Sequence, residues 1–285
     1  MTATTVAPDR SQLSRLSFGG IMKSEWIKLF TLRSTIWCYA ILIFLNVALG
    51  LLIAATLTPS LVGGGNSQFF WVQAATLGIG FSQLVTVVLG ALVITGEYGT
   101  GMIRSTFAAV PGRVAAVFAK ALVFALVTFV IGLISIVATA LLSAPLLAAN
   151  GLAPDVTDGT AWVAMIGAAA YLALIGVLSL AIGVIIRNSA GAIASGLGLV
   201  LVAPAVLGII GGITQAAWMQ NVVAVLPTSA GSRVYAYELA GSDSLPLLSS
   251  DGVLHFEPWQ GGLVLVAWVV VLGILATVLV KKRDA

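Results

Sequence analysis

Charge is scarce in this chain. Only 8% of its 285 residues are Asp, Glu, Lys or Arg, against about a quarter in soluble domains. So few charges cannot clothe the surface of a soluble protein of this length. Cysteine is nearly absent as well. Cys38 stands alone, which excludes an intrachain disulfide and a cysteine-based metal site. His255 is the single histidine, and with Glu257 two residues on it makes a surface-loop pair, not a metal centre. No Gly-x-x-x-x-Gly-Lys-[Ser/Thr] loop is present to cradle nucleotide phosphates in that way. No Gly-x-Ser-x-Gly elbow is present either, and the one histidine lies outside the apolar runs. Both absences argue against a Ser-His hydrolase.

What the chain has instead is apolar sequence in long pieces. Sixty per cent of its residues are hydrophobic. Six runs, Ile36–Leu57, Phe70–Thr95, Ala121–Ser143, Trp162–Ile186, Ala190–Ile213 and Gly261–Val280, hold no Asp, Glu, Lys, Arg or His. Each is long enough for a helix to cross a hydrocarbon core, which takes about 20 residues. A helix satisfies its own backbone hydrogen bonds in lipid. A barrel strand would alternate apolar and polar residues, and these runs do not. The expectation is an all-α polytopic membrane protein with six transmembrane helices, both termini cytoplasmic, in the cell membrane.

Orientation follows from the basic residues. With both termini inside, Arg10, Arg15, Lys23, Lys28, Arg33, Arg104, Arg113, Lys120, Arg187, Lys281, Lys282 and Arg283 are inside, and only Arg233 is outside. That asymmetry is the positive-inside pattern. Four acids fall inside and six outside. The basic face reads as contact with anionic lipid rather than nucleic acid. No carboxylate lies within a run, so an ion-coupled pump has no visible midplane site.

Residues 1–20 read as a disordered cytoplasmic tail and not as a cleaved signal peptide; the six-span transmembrane body covers 21–285. From about Ile21, Met22, Trp26, Leu29 and Phe30 share a helical face opposite Ser24, Lys28 and Thr31. This predicts an amphipathic helix on the inner membrane surface, or else a plain extension of the first span. The loop Thr58–Phe69 holds Gly63, Gly64 and Gly65 and reads as a flexible turn. Arg187-Asn188-Ser189 predicts a tight turn between the fourth and fifth runs. The outer segment 214–260 is too long for a bare connection, and Gln215–Leu226 is expected to form a short helix ended by Pro227.

The inner loop 96–120 carries the chemistry. It runs Gly96-Glu97-Tyr98-Gly99-Thr100-Gly101-Met102-Ile103-Arg104-Ser105-Thr106-Phe107 and on through Pro111, Arg113 and Lys120. The pattern predicts a short helix between glycines and Pro111. Glu97 is placed to favour its start. Ile103 and Phe107 share a face, and Arg104, Arg113 and Lys120 face the cytoplasm. The other reading is a connector resting on headgroups, with Arg104 and Arg113 serving only the charge bias.

This loop resembles the one after the second span of type-2 ATP-binding-cassette (ABC) transporter permeases, chiefly bacterial, actinobacterial-like exporters. The matching positions are Glu97, Gly101, Pro111, Arg113 and Lys120; Met102 departs from the threonine common after the motif glycine. The stretch Ser24–Leu29 with Leu32-Arg33-Ser34 resembles the family's connecting helix, and the six-span layout extends the likeness over nearly the whole chain. The resemblance implies a permease subunit, itself no enzyme, that exports a substrate. It would work as a homodimer or heterodimer with a second permease half and two copies of a separate ABC ATPase subunit. That partner would hold ATP and Mg, with no cofactor bound by this chain. Glu97, Gly101, Ile103, Arg104, Phe107, Pro111 and Arg113 would form the ATPase-coupling element. The alternatives are a non-transporting membrane scaffold and an ion-coupled secondary transporter.

The second run carries Gln73, Thr76, Gly80 and Gln83 at spacings of three and four, continued by Gly90. Two amides are costly in lipid, so the stripe is expected to face protein or a wet cavity, as interhelical glue or as a pathway wall. Gly191 and Ser195 offer a small-residue face in the fifth run, and Pro204 is expected to kink it.

Overall fold

The computed structural model describes residues 17–59, 66–109, 112–237, 247 and 252–282. Expectations for residues 1–16, for Gly63–Gly65 and for Pro111 fall outside these. Among the described residues the elements are helical and no strand occurs. Six helical stretches are long and apolar enough to cross a membrane: Arg33–Thr56, Ser67–Gly99, Arg113–Ala149, Gly159–Ile186, Ser189–Thr214 and Pro258–Lys282. Together they cover the predicted runs to within one residue. Their exposed apolar side chains, such as Trp37, Phe44, Val163, Ile209, Ile213 and Val271, suit a multi-pass membrane protein.

We number the helices α1 (Phe18–Thr31), α2 (Arg33–Thr56), α3 (Ser67–Thr76), α4 (Ile79–Gly99), α5 (Met102–Ala109), α6 (Arg113–Ala149), α7 (Gly159–Ile186) and α8 (Ser189–Leu197). They continue with α9 (Ala203–Thr214), α10 (Ala217–Val225), α11 (Pro227–Ser232) and α12 (Pro258–Lys282). The second span is α3 plus α4, and the fifth is α8 plus α9. α1 begins at Phe18, three residues before the apolar period suggests, because Ser17 caps it: its Oγ accepts from the Gly20 N–H at 3.1 Å.

The second and fourth spans form the centre. In their most apolar windows 61% and 72% of residues are buried, against 11% and 17% in the fifth and sixth spans. Small residues make that centre possible. A Cβ on Gly90 of α4 would sit 2.4 Å from the Gly176 carbonyl oxygen of α7, so the two backbones all but touch there. Ser179 then donates to the Val87 carbonyl at 2.6 Å.

The fifth span bends by a different device from a simple kink. Pro204 has no N–H to give Val200, four residues back, and its ring crowds that carbonyl. Gly198–Val202 accordingly winds as a π-helix, and Thr228 donates to the Val200 carbonyl at 2.9 Å.

Part of the long segment after the fifth span packs into the bundle. The predicted helix forms as α10, and Pro227 both ends it and opens α11. Met219 lies against Gly211, and Trp268 of α12 donates to the Val225 carbonyl at 2.9 Å. α11 is inserted among α7, the fifth span and α12. A Cβ on Gly231 would meet the Tyr171 ring at 2.5 Å, and one on Gly261 the Ala230 carbonyl at 2.3 Å. Farther on, Val234 lies against Gly167, and Tyr237 donates to Asp158 at 2.7 Å. The chain thus descends to the level of Tyr171, about 18 Å along α7 at 1.5 Å per residue. It then climbs back to the α7 N-cap as a re-entrant segment.

Candidate functional site: a buried charge cluster at the basic end

The basic end is organised by four side chains from three helices. α1 buries Ile21, Glu25 and Leu29, one residue every four, against α6. Glu97 is in the last turn of α4, and Lys120 is in the second turn of α6. Lys28 donates to Glu25 at 2.7 Å and to Glu97 at 3.0 Å. Lys120 donates to Glu97 at 2.9 Å and also to Glu25. The side chains of Glu25, Glu97 and Lys120 are 3%, 4% and 6% exposed, and that of Lys28 is 28% exposed. Lys28 further reaches Thr106 Oγ1 of α5 at 3.4 Å, so the cluster touches a fourth helix.

Two carboxylates and two ammonium groups balance, which lets the four charges share a low-dielectric site. The balance of donors and acceptors is incomplete. Glu97 Oε2 is buried without a hydrogen-bond partner. Beside it lies a cavity of about 460 Å³, bounded by Glu25, Lys28, Glu97 and Lys120 and otherwise mostly apolar. Burial pulls the Lys28 ammonium down, but hydrogen bonds and attraction from Glu25 and Glu97 outweigh it. Its pKa stands above 10.5.

Several expectations for the inner loop are corrected here. Glu97 does not open the short helix; it closes α4, where the helix dipole disfavours a carboxylate and the two lysines offset it. Lys120 is buried in the cluster and does not face solvent. The turn into α5 is made at Gly101, whose φ of +71° lies in the left-handed region. Ile103 and Phe107 do share a face, but they are buried in this chain's own core and are not presented to a partner. The face left open carries Met102, Arg104, Ser105 and Ala108. Arg113 stacks its guanidinium over the Phe107 ring at 5.8 Å.

The α1 face also turns from its expected setting. Leu29 is buried and Met22 is half-buried, packed on the core, while Trp26 and Phe30 stay exposed with ring centroids 5.0 Å apart. Pairing of Glu25 with the two lysines draws its stripe inward, together with Ile21 and Leu29.

The polar stripe of the second span is split by its neighbours. Gln83 is buried; it accepts a hydrogen bond from the Tyr171 hydroxyl and donates to the Gly80 carbonyl at 3.0 Å. Thr76 is buried and bonds the Val72 carbonyl at 2.8 Å. Gln73 is exposed and lines a cavity of about 230 Å³ with Phe69, Thr76, Ser232, Tyr235 and Tyr237. Gly80 is exposed, with nothing near its Cβ position. In the fifth span Ser195 is exposed and Gly191 half-buried, so they are not the packing face. That face is Ala192 and Gly196, the latter against Val87 and Ser179. Arg187, at a φ of +60°, and Asn188, which caps α8, make the expected tight turn. Arg187 stacks over Tyr98 at 5.2 Å.

Tyr171 was not singled out from sequence, and Lys28 and Lys120 were named there without their pairing to Glu97. The Glu25–Lys28 spacing of three was the one signal for the cluster. Among the described residues no three His, Cys, Asp or Glu side chains group as metal ligands. The chain matches no model of a known protein family and no curated protein.

Proposed function

We propose that this chain is the permease half of an exporter driven by a separate ABC ATPase. The observation that carries the reading is the four-charge cluster. It ties α1, the end of the central α4 and the start of α6 into one unit, with α5 held to it through Thr106. A push on α5 or α1 therefore reaches the second and third spans as a rigid-body displacement, the kind of element that a partner's nucleotide state can bias. Met102, Arg104, Ser105 and Ala108 are the surface that an ATPase would touch. The weakly buried first and fifth spans leave apolar faces for lipid and for a second permease half. Trp26 and Phe30 would rest at headgroup depth.

The substrate would be exported through a wall that includes Gln73 and its cavity, while Gln83 acts as interhelical glue. The test is co-expression with a cassette ATPase, co-purification, and ATP hydrolysis in liposomes. Stable association and substrate-stimulated hydrolysis are expected. Solute movement that follows an ion gradient and needs no ATPase would replace this reading with a secondary transporter.

A further inference from the structure

We propose that the second span is jointed at Leu77–Gly78 and that Asn46 of α2 is the latch of the joint. Neither part depends on the transport reading. A permease and a scaffold could both contain such a joint.

The backbone carries the first observation. α3 ends at Thr76 and α4 begins at Ile79. The last regular bond of α3 runs from the Leu77 N–H to the Gln73 carbonyl at 2.9 Å. The first of α4 runs from the Ser82 N–H to the Gly78 carbonyl, also at 2.9 Å. Between them lie tighter turns, from the Gly80 N–H to Leu77 at 3.4 Å and from the Phe81 N–H to Gly78 at 3.1 Å. Leu77 and Gly78 keep right-handed angles, with ψ of −41° and −16°. The path stays helical while the regular ladder lapses for one turn, the tightened form that often marks a hinge within a helix. No proline stands here, so the interruption is assigned to a side chain set into the ladder.

That side chain is Asn46, which is 1% exposed. Its Nδ2 donates to the Ala75 carbonyl at 3.3 Å and to Thr139 Oγ1 of α6 at 3.1 Å. Only the amide nitrogen can donate to a carbonyl, so the Ala75 bond fixes which way the amide points. Asn46 Oδ1 is left buried without a partner. It lies against Gly78, where a Cβ would sit 2.6 Å from it. The Gly78 N–H likewise has no acceptor among the described residues. A buried orphan donor and a buried orphan acceptor are each costly, and here they meet at one residue. A small turn of α4 would pair them. The amide would then hold Ala75 of one half through Nδ2 and Gly78 of the other through Oδ1. The conformation described here is half-latched, and the fully latched one is the second state.

The two halves have separate anchors. Trp71 of α3 donates to the Ala140 carbonyl at 2.8 Å, and Gln68 exchanges two 2.9 Å bonds with the Asp155 backbone. α4 is held instead by α7 at Gly90 and Ser179, and by the charge cluster at Glu97. A displacement of the cluster would therefore turn α4 against α3 at Gly78 and reshape the cavity beside Gln73.

The test places nitroxide labels at Phe69→Cys and Thr100→Cys, both exposed, in full-length Cys38→Ala protein. Pulsed electron paramagnetic resonance then reads the distance between them, about 46 Å along a straight helix. Two distance populations are expected. Asn46→Leu keeps the bulk of the side chain and removes both amide groups. It should merge the two populations into one, because Ala75 and Gly78 can then bond only within their own helix. If that variant does not fold, Thr139→Val takes its place. It removes one acceptor of Nδ2, leaves the joint intact and should shift the ratio of the populations at least threefold. A single narrow distance in the protein with Asn46 intact overturns the joint. Two populations left unchanged by folded Asn46→Leu, or by Thr139→Val in its place, overturn the latch.

Discussion

At the residue scale, Lys120 illustrates how context reverses a reading. Next to an apolar run, a lysine reads as a snorkelling cation. Here its ammonium is held between Glu25 and Glu97 and is almost wholly buried. Removing one member of such a cluster leaves carboxylate charge buried and poorly paired. Lys120→Met should therefore destabilise the protein by about 3 kcal/mol, read as a lowered unfolding midpoint in detergent. Adding Glu97→Gln should restore a good part of that loss in a double-mutant cycle. A double variant no better than the single one would show that lost packing, not charge, dominates. Lys28 adds a pH dependence of its own. Its folded pKa is raised, so its contribution is full below 10.5 and is lost as pH rises through the higher folded value. Unfolding midpoints of wild type and Lys28→Met should therefore differ by a constant amount from pH 6 to 9 and converge only in stronger alkali.

At the scale of elements, the re-entrant segment shows what pattern could and could not reveal. α10 was legible because the segment is too long for a bare connection and Pro227 punctuates it. Its descent into the bundle was not, because that depends on room left by glycines far away in sequence. Gly231 beside Tyr171 and Gly167 beside Val234 supply the room. Gly231→Leu should expel α11. In a Cys38→Ala background with Thr228→Cys, attack by a membrane-impermeant thiol reagent should then rise several-fold. Unchanged labelling would mean that the segment does not depend on this contact. At the end of the bundle opposite the charge cluster, Asp158 caps α7 and receives the Tyr237 hydroxyl. Asp158→Ala should cost about 1 kcal/mol, the usual value of an N-cap, measured by thermal unfolding.

At the scale of the whole molecule, two predictions separate orientation from coupling. Cysteines at Asn66 and Asp155 should label from outside intact cells, and those at Ser105 and Asn188 only after permeabilisation. The reverse pattern would invert the topology drawn from the 13 basic residues. For coupling, the exposed face of α5 is the place to probe. Arg104→Glu should leave membrane insertion and unfolding unchanged, because Arg104 is exposed, yet lower ATPase association or stimulated hydrolysis at least several-fold. Phe107→Asp is the wrong probe, since it would bury a carboxylate in the core and report on stability instead.

The sequence by itself determined the class, the number of apolar helices and the apolar middle of each, although the third helix, Arg113–Ala149, runs well past its predicted run at both ends. Those properties depend on composition summed over some twenty neighbouring residues, and no distant contact can reverse a sum of that size. It also marked the inner loop and the tight turn at Arg187, because Gly, Pro and Asn act on the backbone locally. The tertiary structure alone decided which side of each helix is inside. Gln83 and Gln73 stand on one predicted stripe, but Tyr171 claims the first and leaves the second lining a cavity. Glu25, Glu97 and Lys120 are separated by up to 95 positions and become one electrostatic unit only when α1, α4 and α6 meet. Periodicity reports that a helix has faces. The neighbour each face meets depends on packing between helices far apart in the chain.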